Sequence, residues 1–349
     1  MPSMSVVNIT VDTSTLIHIF ILGFAGFAFS MLLTPLYTTY AYKHEWWKKA
    51  RTTDATGAKA TVFQKLHGAK HRRNIPTAAG VIFVLATLIV TLTSNLQRTE
   101  TWLPLAAMAG AGLIGFVDDM FNIHSHGGIA GMRAKMKMFL ITMVALIGGW
   151  WFYAKLDVSS IHIPLMTSPL HLGWLIVPLF VLVVVSTANA VNITDGLDGL
   201  AGGLTAIAFA MYAIIAFLEK RYGIAGFCLT IVGTLLSYTW FNVFPARFFM
   251  GDIGSFALGT ALGVVAMLTD TVLILPVIGL LFVVEAGSSA LQMSSKKLRH
   301  GKKIFRIAPI HHHFEALGWE ETKVTMRFWI IGQVMGVIGL VLFFFSKQL

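Results

Sequence analysis

Five aspartates in three short stretches have the types and spacing to do chemistry. They are Asp118 and Asp119 in GFVDDM, Asp195 and Asp198 in NITDGLDG, and Asp252 in FFMGDIGS. Carboxylates gathered beside basic segments suit a divalent cation and phosphates. Magnesium takes carboxylate oxygen and substrate phosphate while keeping several waters. Phosphoryl transfer asks for positioning and charge neutralisation more than for covalent chemistry. The glycines of DGLDGLAGG and MGDIGS permit close backbone approach at helix starts, where free N–H groups favour anions. As isolated patterns they are weak, because membrane helices also use glycine for packing. Any one of these aspartates could instead be an N-cap; all five on one face of an apolar chain are better read as a site.

The stretch IAPIHHHFEALGW adds His311, His312 and His313. Adjacent residues on a helix point about 100° apart, and zinc ligands are normally separated by several residues. The triplet therefore suits a phosphate or nucleotide contact, or a general acid near neutral pH, with plain surface histidines as the alternative. Phe248 and Phe249, close to Asp252, could stack a base or serve as interfacial anchors.

The elements that must position these residues are membrane helices. Of 349 residues, 56% are apolar and only 12% charged, about half the charged fraction of a soluble protein; the mean hydropathy is +0.74. Ten apolar runs are long enough, or nearly so, for a hydrocarbon core of about 30 Å: 16–38, 76–95, 103–117, 137–154, 173–191, 200–218, 223–243, 254–269, 271–292 and 327–346. The boundary at Thr269–Thr271 is the weakest. The first run reads as a retained span, since further spans follow it and no small-residue cleavage site does. The expectation is an all-α, polytopic membrane protein of about ten spans forming one domain over 1–349.

Connections after the odd-numbered spans hold 21 of the 26 Lys and Arg, nine of them in 41–75 and eight in 295–327. That asymmetry makes their side cytoplasmic and leaves both termini outside. The cytoplasmic loops then cover about 41–75, 118–136, 192–199, 244–253 and 293–326. A net charge of +10 is thus a transmembrane asymmetry suited to anionic lipid headgroups and phosphorylated ligands, and not a nucleic-acid footprint. Cys228, the single cysteine, lies mid-span and reads as core packing. Ionisable groups at membrane depth are functional candidates by default.

In these blocks the chain resembles the polyprenyl-phosphate sugar-phosphate transferases. The resemblance rests on GFVDDM, NAVNITDGLDGLAGG, FNVFPARFFMGDIGSFALG and APIHHHFEALGW followed by RFWII, and it runs from about residue 16 to the C-terminus. Within that superfamily the HHHFE-x-x-GW block resembles the phospho-N-acetylmuramoyl-pentapeptide transferases. The resemblance implies transfer of phospho-MurNAc-pentapeptide from UDP-MurNAc-pentapeptide to undecaprenyl phosphate, giving lipid I and UMP with Mg2+. It also implies a bacterial cytoplasmic (inner) membrane location among membrane lipids, with the active site on the cytoplasmic face. Families of this kind often form homodimers; no interface is legible in the sequence.

The resemblance also implies roles. Asp252 is the magnesium ligand. Asp118 acts on the polyprenyl phosphate, and Asp119 supports phosphate or metal binding. Asn189, Asn192, Asp195 and Asp198 form the nucleotide-side loop, and Asn242 and Phe249 lie near the nucleotide. Gly251 and Ser255 belong to the substrate-binding MGDIGS block. Lys137 binds phosphate, and His311, His312 and His313 lie near the sugar-phosphate. The chain departs from the pattern in places. IPTAAG, Ile75 to Gly80, stands for the usual TPTMGG. Two extra residues in AKHRRN leave Lys70, Arg72 and Arg73 as alternatives for the family lysine. Asn122 replaces a lysine, Ile141 a glutamine, and Ile253 a Thr or Ser.

Two chemical routes are open: direct attack of the lipid phosphate on the β-phosphate, or an aspartyl-phosphate intermediate. Two rival functions stand beside this reading. A sister transferase using UDP-GlcNAc is opposed by the HHHFE block. A lipid-phosphate transporter would place its polar residues near mid-membrane, whereas these cluster at span ends.

Overall fold

In hydrocarbon every backbone N–H and C=O must be satisfied within the protein, and a helix does this locally. The long apolar runs accordingly fold as helices. A computed structural model describes residues 12–47, 74–124, 131–164, 166 and 168–347. The helices are α1 (Thr13–Lys43), α2 (Gly80–Ser94), α3 (Trp102–His124), α4 (Ala134–Ala154), α5 (Ile176–Thr194), α6 (Leu200–Leu218), α7 (Tyr222–Asn242), α8 (Gly251–Leu268), α9 (Leu280–Leu298), α10 (Ile310–Ala316) and α11 (Glu321–Lys347). Between α4 and α5 lies a two-residue antiparallel pair, β1 (Ser160–Ile161) with β2 (Leu170–His171), in the register Ser160 to His171. The protein is an all-α, multi-pass membrane protein.

Among the described residues eight helices, α1, α3 to α8 and α11, are long and apolar enough to cross a membrane. The two other runs differ from the expectation in instructive ways. Helix α2 has 15 residues, about 22 Å at 1.5 Å per residue; an irregular but fully buried segment, Ile75 to Ala79, precedes it. The ninth run is split: a single helical turn, Leu275–Ile278, ends at Gly279 before α9 begins. Helix α9 carries Glu285 on its buried side and Lys296 and Lys297 in its last turn, so it is amphipathic rather than uniformly apolar.

Several helices overrun the apolar runs at one end of the bundle, and this matters for the site. Helix α3 continues past Val117 to His124, bringing Asp118 and Asp119 onto helical backbone. Helix α4 starts at Ala134, so Lys137 sits on its first turn. At that same end, Trp46 O accepts from Thr77 N at 2.7 Å and Pro76 O from Phe249 N at 2.8 Å. The opposite end has its own ties: Asn95 Nδ2 donates to Gly223 O at 2.9 Å, Glu100 accepts from Gly223 N at 2.7 Å, and His162 pairs with Asp270.

Helix α8 is the centre of the bundle, packed by α2, α3, α5 and α6. Every residue of it except Asp252 is buried. Its sequence, GDIGSFALGTALGVVAML, supplies small residues wherever a neighbour crosses, as helix packing in membranes requires. A Cβ on Gly115 of α3 would fall onto the Asp252 carbonyl, and one on Gly80 of α2 would fall onto the Gly254 backbone. The outer helices instead show apolar side chains outward: Phe24 and Leu36 on α1, Ile147 on α4 and Ile330 on α11 are 72%, 67%, 69% and 61% exposed.

Candidate active site

The crossing at Gly115 decides what happens one turn further along α3. With the two backbones in contact, Asp118 and Asp119 arrive beside the first turn of α8, and they do different things there. Asp119 is fully buried, and its Oδ2 accepts from the Ile253 N–H at 3.1 Å. It thereby caps the free N–H groups of α8 from a neighbouring helix, the task an N-cap side chain performs locally. Gly251 makes room for it: this residue has φ +73°, and a Cβ there would collide with Asp119 Oδ2.

Asp118 turns toward α4. Its Oδ2 accepts from Lys137 Nζ at 2.7 Å and from Asn122 Nδ2 at 3.0 Å, while Oδ1 accepts from Met132 N at 2.5 Å. The same Lys137 ammonium donates to Asp252 Oδ2 at 2.5 Å and lies 5.5 Å from the centre of the Phe256 ring. The other oxygen of Asp252 receives Asn192 Nδ2 at 3.3 Å, and that amide also donates to Ser255 Oγ at 2.8 Å. One connected set of side chains thus joins α3, α4, α5 and α8: Asp118, Lys137, Asp252, Asn192 and Ser255. Lys137 is 20% and Asp252 16% exposed, so the pair faces an opening, whereas Asp118 is 1% exposed.

The carboxylate oxygens of Asp118 and Asp252, with the Asn192 amide and the Ser255 hydroxyl, form an oxygen donor set. Among the described residues no three of His, Cys, Asp and Glu gather to hold a metal unaided. Two carboxylates converging on one cation, one of them partly exposed, fit a hard ion such as magnesium better than a closed protein cage. Asp252 and Asp118 are the residues able to hold it.

One turn beyond Asn192, the 195–199 loop continues the site. Asp195 is half-buried at the C-terminus of α5. A Cβ on Gly196 would collide with His311 Nε2, so that imidazole lies directly on the loop. Asp198 is buried and accepts from Ala246 N at 2.9 Å through Oδ2. Gly199, with φ +78°, occupies the N-cap of α6 and supplies no side-chain bond. Asn242 braces the same turn, accepting from Gly199 N at 2.9 Å and donating to Phe248 O at 2.8 Å.

The three histidines take three separate directions. His311 Nδ1 is 2.8 Å from Glu285 Oε2, both fully buried. His312 Nδ1 is 2.6 Å from Glu315 Oε2, and His313 Nδ1 accepts from Arg306 N at 3.1 Å. Asn189 donates back to Val185 O at 2.8 Å and lies against Met138, one turn deeper than Asn192. Phe249 is half-buried, its backbone bonded to Pro76 O at 2.8 Å and to Ala79 N at 3.0 Å. The IPTAAG segment thus serves as a strap across the entrance to α8. Phe248 cannot stack a base: it is fully buried against Tyr37, Tyr238 and Phe241. Lys70, with its alternatives Arg72 and Arg73, lies outside the described residues.

Sequence reading missed Glu285, Glu321, Thr325 and Trp329. An acid inside an apolar run was the available signal for Glu285. The other three are ordinary members of a helix start and a span, and only their contacts give them a role.

A family described as glycosyl transferase family 4 matches residues 101–270, the segment that carries Asp118, Lys137, Asn192, Asp198 and Asp252. A phospho-N-acetylmuramoyl-pentapeptide-transferase of Clostridium botulinum (strain Eklund 17B / Type B) is 36% identical over 317 residues, 90% of this chain and 94% of that protein. The enzyme of the same description from Clostridium novyi (strain NT) is 39% identical, over 77% of this chain and 83% of that one. That from Geobacillus sp. (strain WCH70) is 35% identical, over 90% and 94%.

Proposed function

Because the chain belongs to the phospho-N-acetylmuramoyl-pentapeptide transferase family, we propose that it moves phospho-MurNAc-pentapeptide from UDP-MurNAc-pentapeptide to undecaprenyl phosphate at the cytoplasmic face of a bacterial membrane. The observation that carries this reading is the shared ammonium: Lys137 held between Asp118 and Asp252, at an opening beside the half-buried Asn192. An oxygen of the lipid phosphate attacks the β-phosphorus of the UDP-sugar. The bond from that phosphorus to the bridging oxygen breaks, and UMP leaves with the oxygen. The product is a pyrophosphate-linked lipid.

Each residue has a part. Lys137 exchanges its carboxylate partners for phosphate oxygens and offsets the charge that builds as three phosphates crowd together. Asn192 offers a short polar side chain to the same space, and the buried Ser255 holds its amide in place. Asp119 holds the first turn of α8 in place, so that Asp252 stays aimed at the opening. Asp195 and the His311 ring flank the Gly196 loop and read the nucleotide-sugar side. Magnesium, held through Asp252 with Asp118 nearby, supplies Lewis-acid polarisation and charge neutralisation when bound. Direct displacement is favoured over an aspartyl-phosphate because Asp118 is 1% exposed and both its oxygens already accept hydrogen bonds.

The test is UMP release by the purified protein given UDP-MurNAc-pentapeptide and polyprenyl phosphate, with and without magnesium. Turnover requiring both substrates and the metal supports the reading. Turnover with UDP-GlcNAc but not the muramyl substrate overturns the choice of sugar, and a UMP burst without lipid acceptor overturns direct displacement.

A further inference from the structure

The loop from Asp195 to Gly199 is held by an element that takes no part in the chemistry. Consider the backbone of the Asp198–Gly199 turn. The Asp198 N–H donates to Glu321 Oε1 at 2.6 Å, and the Asp198 carbonyl accepts from Thr325 Oγ1 at 3.3 Å. The Gly199 N–H donates to Asn242 Oδ1 at 2.9 Å, and the Gly199 carbonyl accepts from Trp329 Nε1 at 3.2 Å. All four backbone groups of the turn are therefore met by side chains from α7 and α11, three of the four from α11. A buried backbone group without a partner costs about 1–3 kcal/mol. The Gly199 carbonyl also takes the first bond of α6, from Gly203 N at 3.0 Å, so the Trp329 contact is an added one. What is unusual is that one neighbouring helix supplies most of the side-chain contacts.

Glu321, Thr325 and Trp329 are spaced four residues apart and make one stripe along α11. The fit is tight at its far end, where a Cβ on Gly203 of α6 would run into the Trp329 indole. The rest of the helix behaves differently. Ile330, Val334 and Val337 are 61%, 54% and 54% exposed, as a lipid-facing surface would be. A helix needed only to complete the bundle could meet α6 with apolar side chains. Here its polar and indole donors are aimed at two consecutive residues of the candidate nucleotide loop.

We propose that the Glu321–Thr325–Trp329 stripe of α11 is a positioning device that sets nucleotide affinity by fixing the 195–199 loop. The idea rests on the reading of that loop as the uridine-nucleotide side of the site. In this view Thr325 and Trp329 touch no substrate. They set where Asp195 and Gly196 sit, and hence where the His311 ring is met.

The experiment compares wild type with Thr325→Val, Trp329→Phe and Val334→Ala in detergent or nanodiscs. UMP binding is measured by calorimetry, and amide hydrogen exchange is followed over 193–203. A lost hydrogen bond of about 1 kcal/mol corresponds to a several-fold change. Thr325→Val and Trp329→Phe should each raise Kd for UMP and KM for the UDP-sugar about three- to tenfold. The KM for polyprenyl phosphate and kcat at saturating nucleotide should stay within about twofold of wild type. Exchange at Asp198 and Gly199 should rise without ligand, and Val334→Ala should match wild type throughout. Variants that melt earlier yet bind UMP and protect the loop like wild type would show a merely structural helix and overturn the proposal. Wild type that fails to bind UMP, with loop exchange still rising in the variants, would overturn the nucleotide reading of the loop and leave its bracing by α11 standing. Because Trp329→Phe removes only the indole N–H and some volume, it keeps the test available if Thr325→Val folds poorly.

Discussion

Asp118 and Asp252 stand on different helices and share one ammonium: Lys137 Nζ lies 2.7 Å from the first and 2.5 Å from the second. Two carboxylates brought this close repel unless a cation lies between them. The ion that holds them together in the protein alone is a side chain; a metal ion is able to take its place, while a phosphate-bearing substrate competes with the carboxylates for the ammonium. Binding of either therefore rearranges an existing charge balance.

Replacing Lys137 with Met should expose that repulsion. Thermal unfolding should show a loss of about 1–3 kcal/mol, below the 3–5 kcal/mol of a fully buried pair because Lys137 and Asp252 keep some solvent. The double variant Lys137→Met with Asp252→Asn should regain part of it, since one of the two like charges is gone. A double variant less stable than Lys137→Met alone would refute the shared-cation account.

Asp252→Asn keeps the side chain's shape and its amide contact with Asn192 while removing the charge. UMP release should fall by about 10²-fold or more, the scale seen when a group stabilising transition-state charge is removed, and magnesium titration should shift to higher concentrations. Near-normal turnover with an unchanged magnesium requirement would remove Asp252 from the metal site.

Gly115→Ala places a methyl group against the Asp252 carbonyl, where backbone meets backbone and nothing can rotate away. Overpacking of this kind costs about 1–3 kcal/mol, and the displaced α8 start should lower kcat. Gly287→Ala is the matched control. An added Cβ there meets nothing within 4 Å, so helix propensity alone should leave stability unchanged or raise it by up to about 1 kcal/mol. Equal melting temperatures for the two variants would contradict the packing described.

Glu285→Gln tests the buried partner of His311. An amide can still bond Nδ1, but it can offer its N–H as readily as its oxygen, so the ring's tautomer is no longer fixed. Turnover should fall about tenfold, and nitrogen-15 spectra of the histidines should show one ring altered. Unchanged spectra with full turnover would mean the carboxylate does not orient His311.

Much of this molecule could be read from its residue order. Apolar runs map onto helices because hydrocarbon forces local backbone pairing, and the basic loops single out the end that carries the aspartates. The readings failed where an outcome depends on what meets what. Asp119 looks equivalent to Asp118 in GFVDDM, yet one caps α8 and the other binds Lys137, because neighbours on a helix diverge by about 100°. The ninth run breaks at Gly279, and Phe248 turns inward while Phe249 does not; neither outcome follows from composition. Glu285 with His311, and Glu321 with Asp198, join residues remote in the chain, and a single sequence carries no mark of such pairs. Their roles arise only from the folded packing.

The burial of α8 has a consequence for the protein's surroundings. Helices α1, α4 and α11 meet the acyl chains, and they can tilt when a bilayer is thinner or thicker than their apolar length. Helix α8 has no lipid-facing residue and is tied at its first turn to α3, so tilting at the perimeter need not carry Asp252 with it. The reacting end should keep its depth and geometry in bilayers of short and long acyl chains alike, so that the same chemistry tolerates a membrane whose lipids change with temperature and growth.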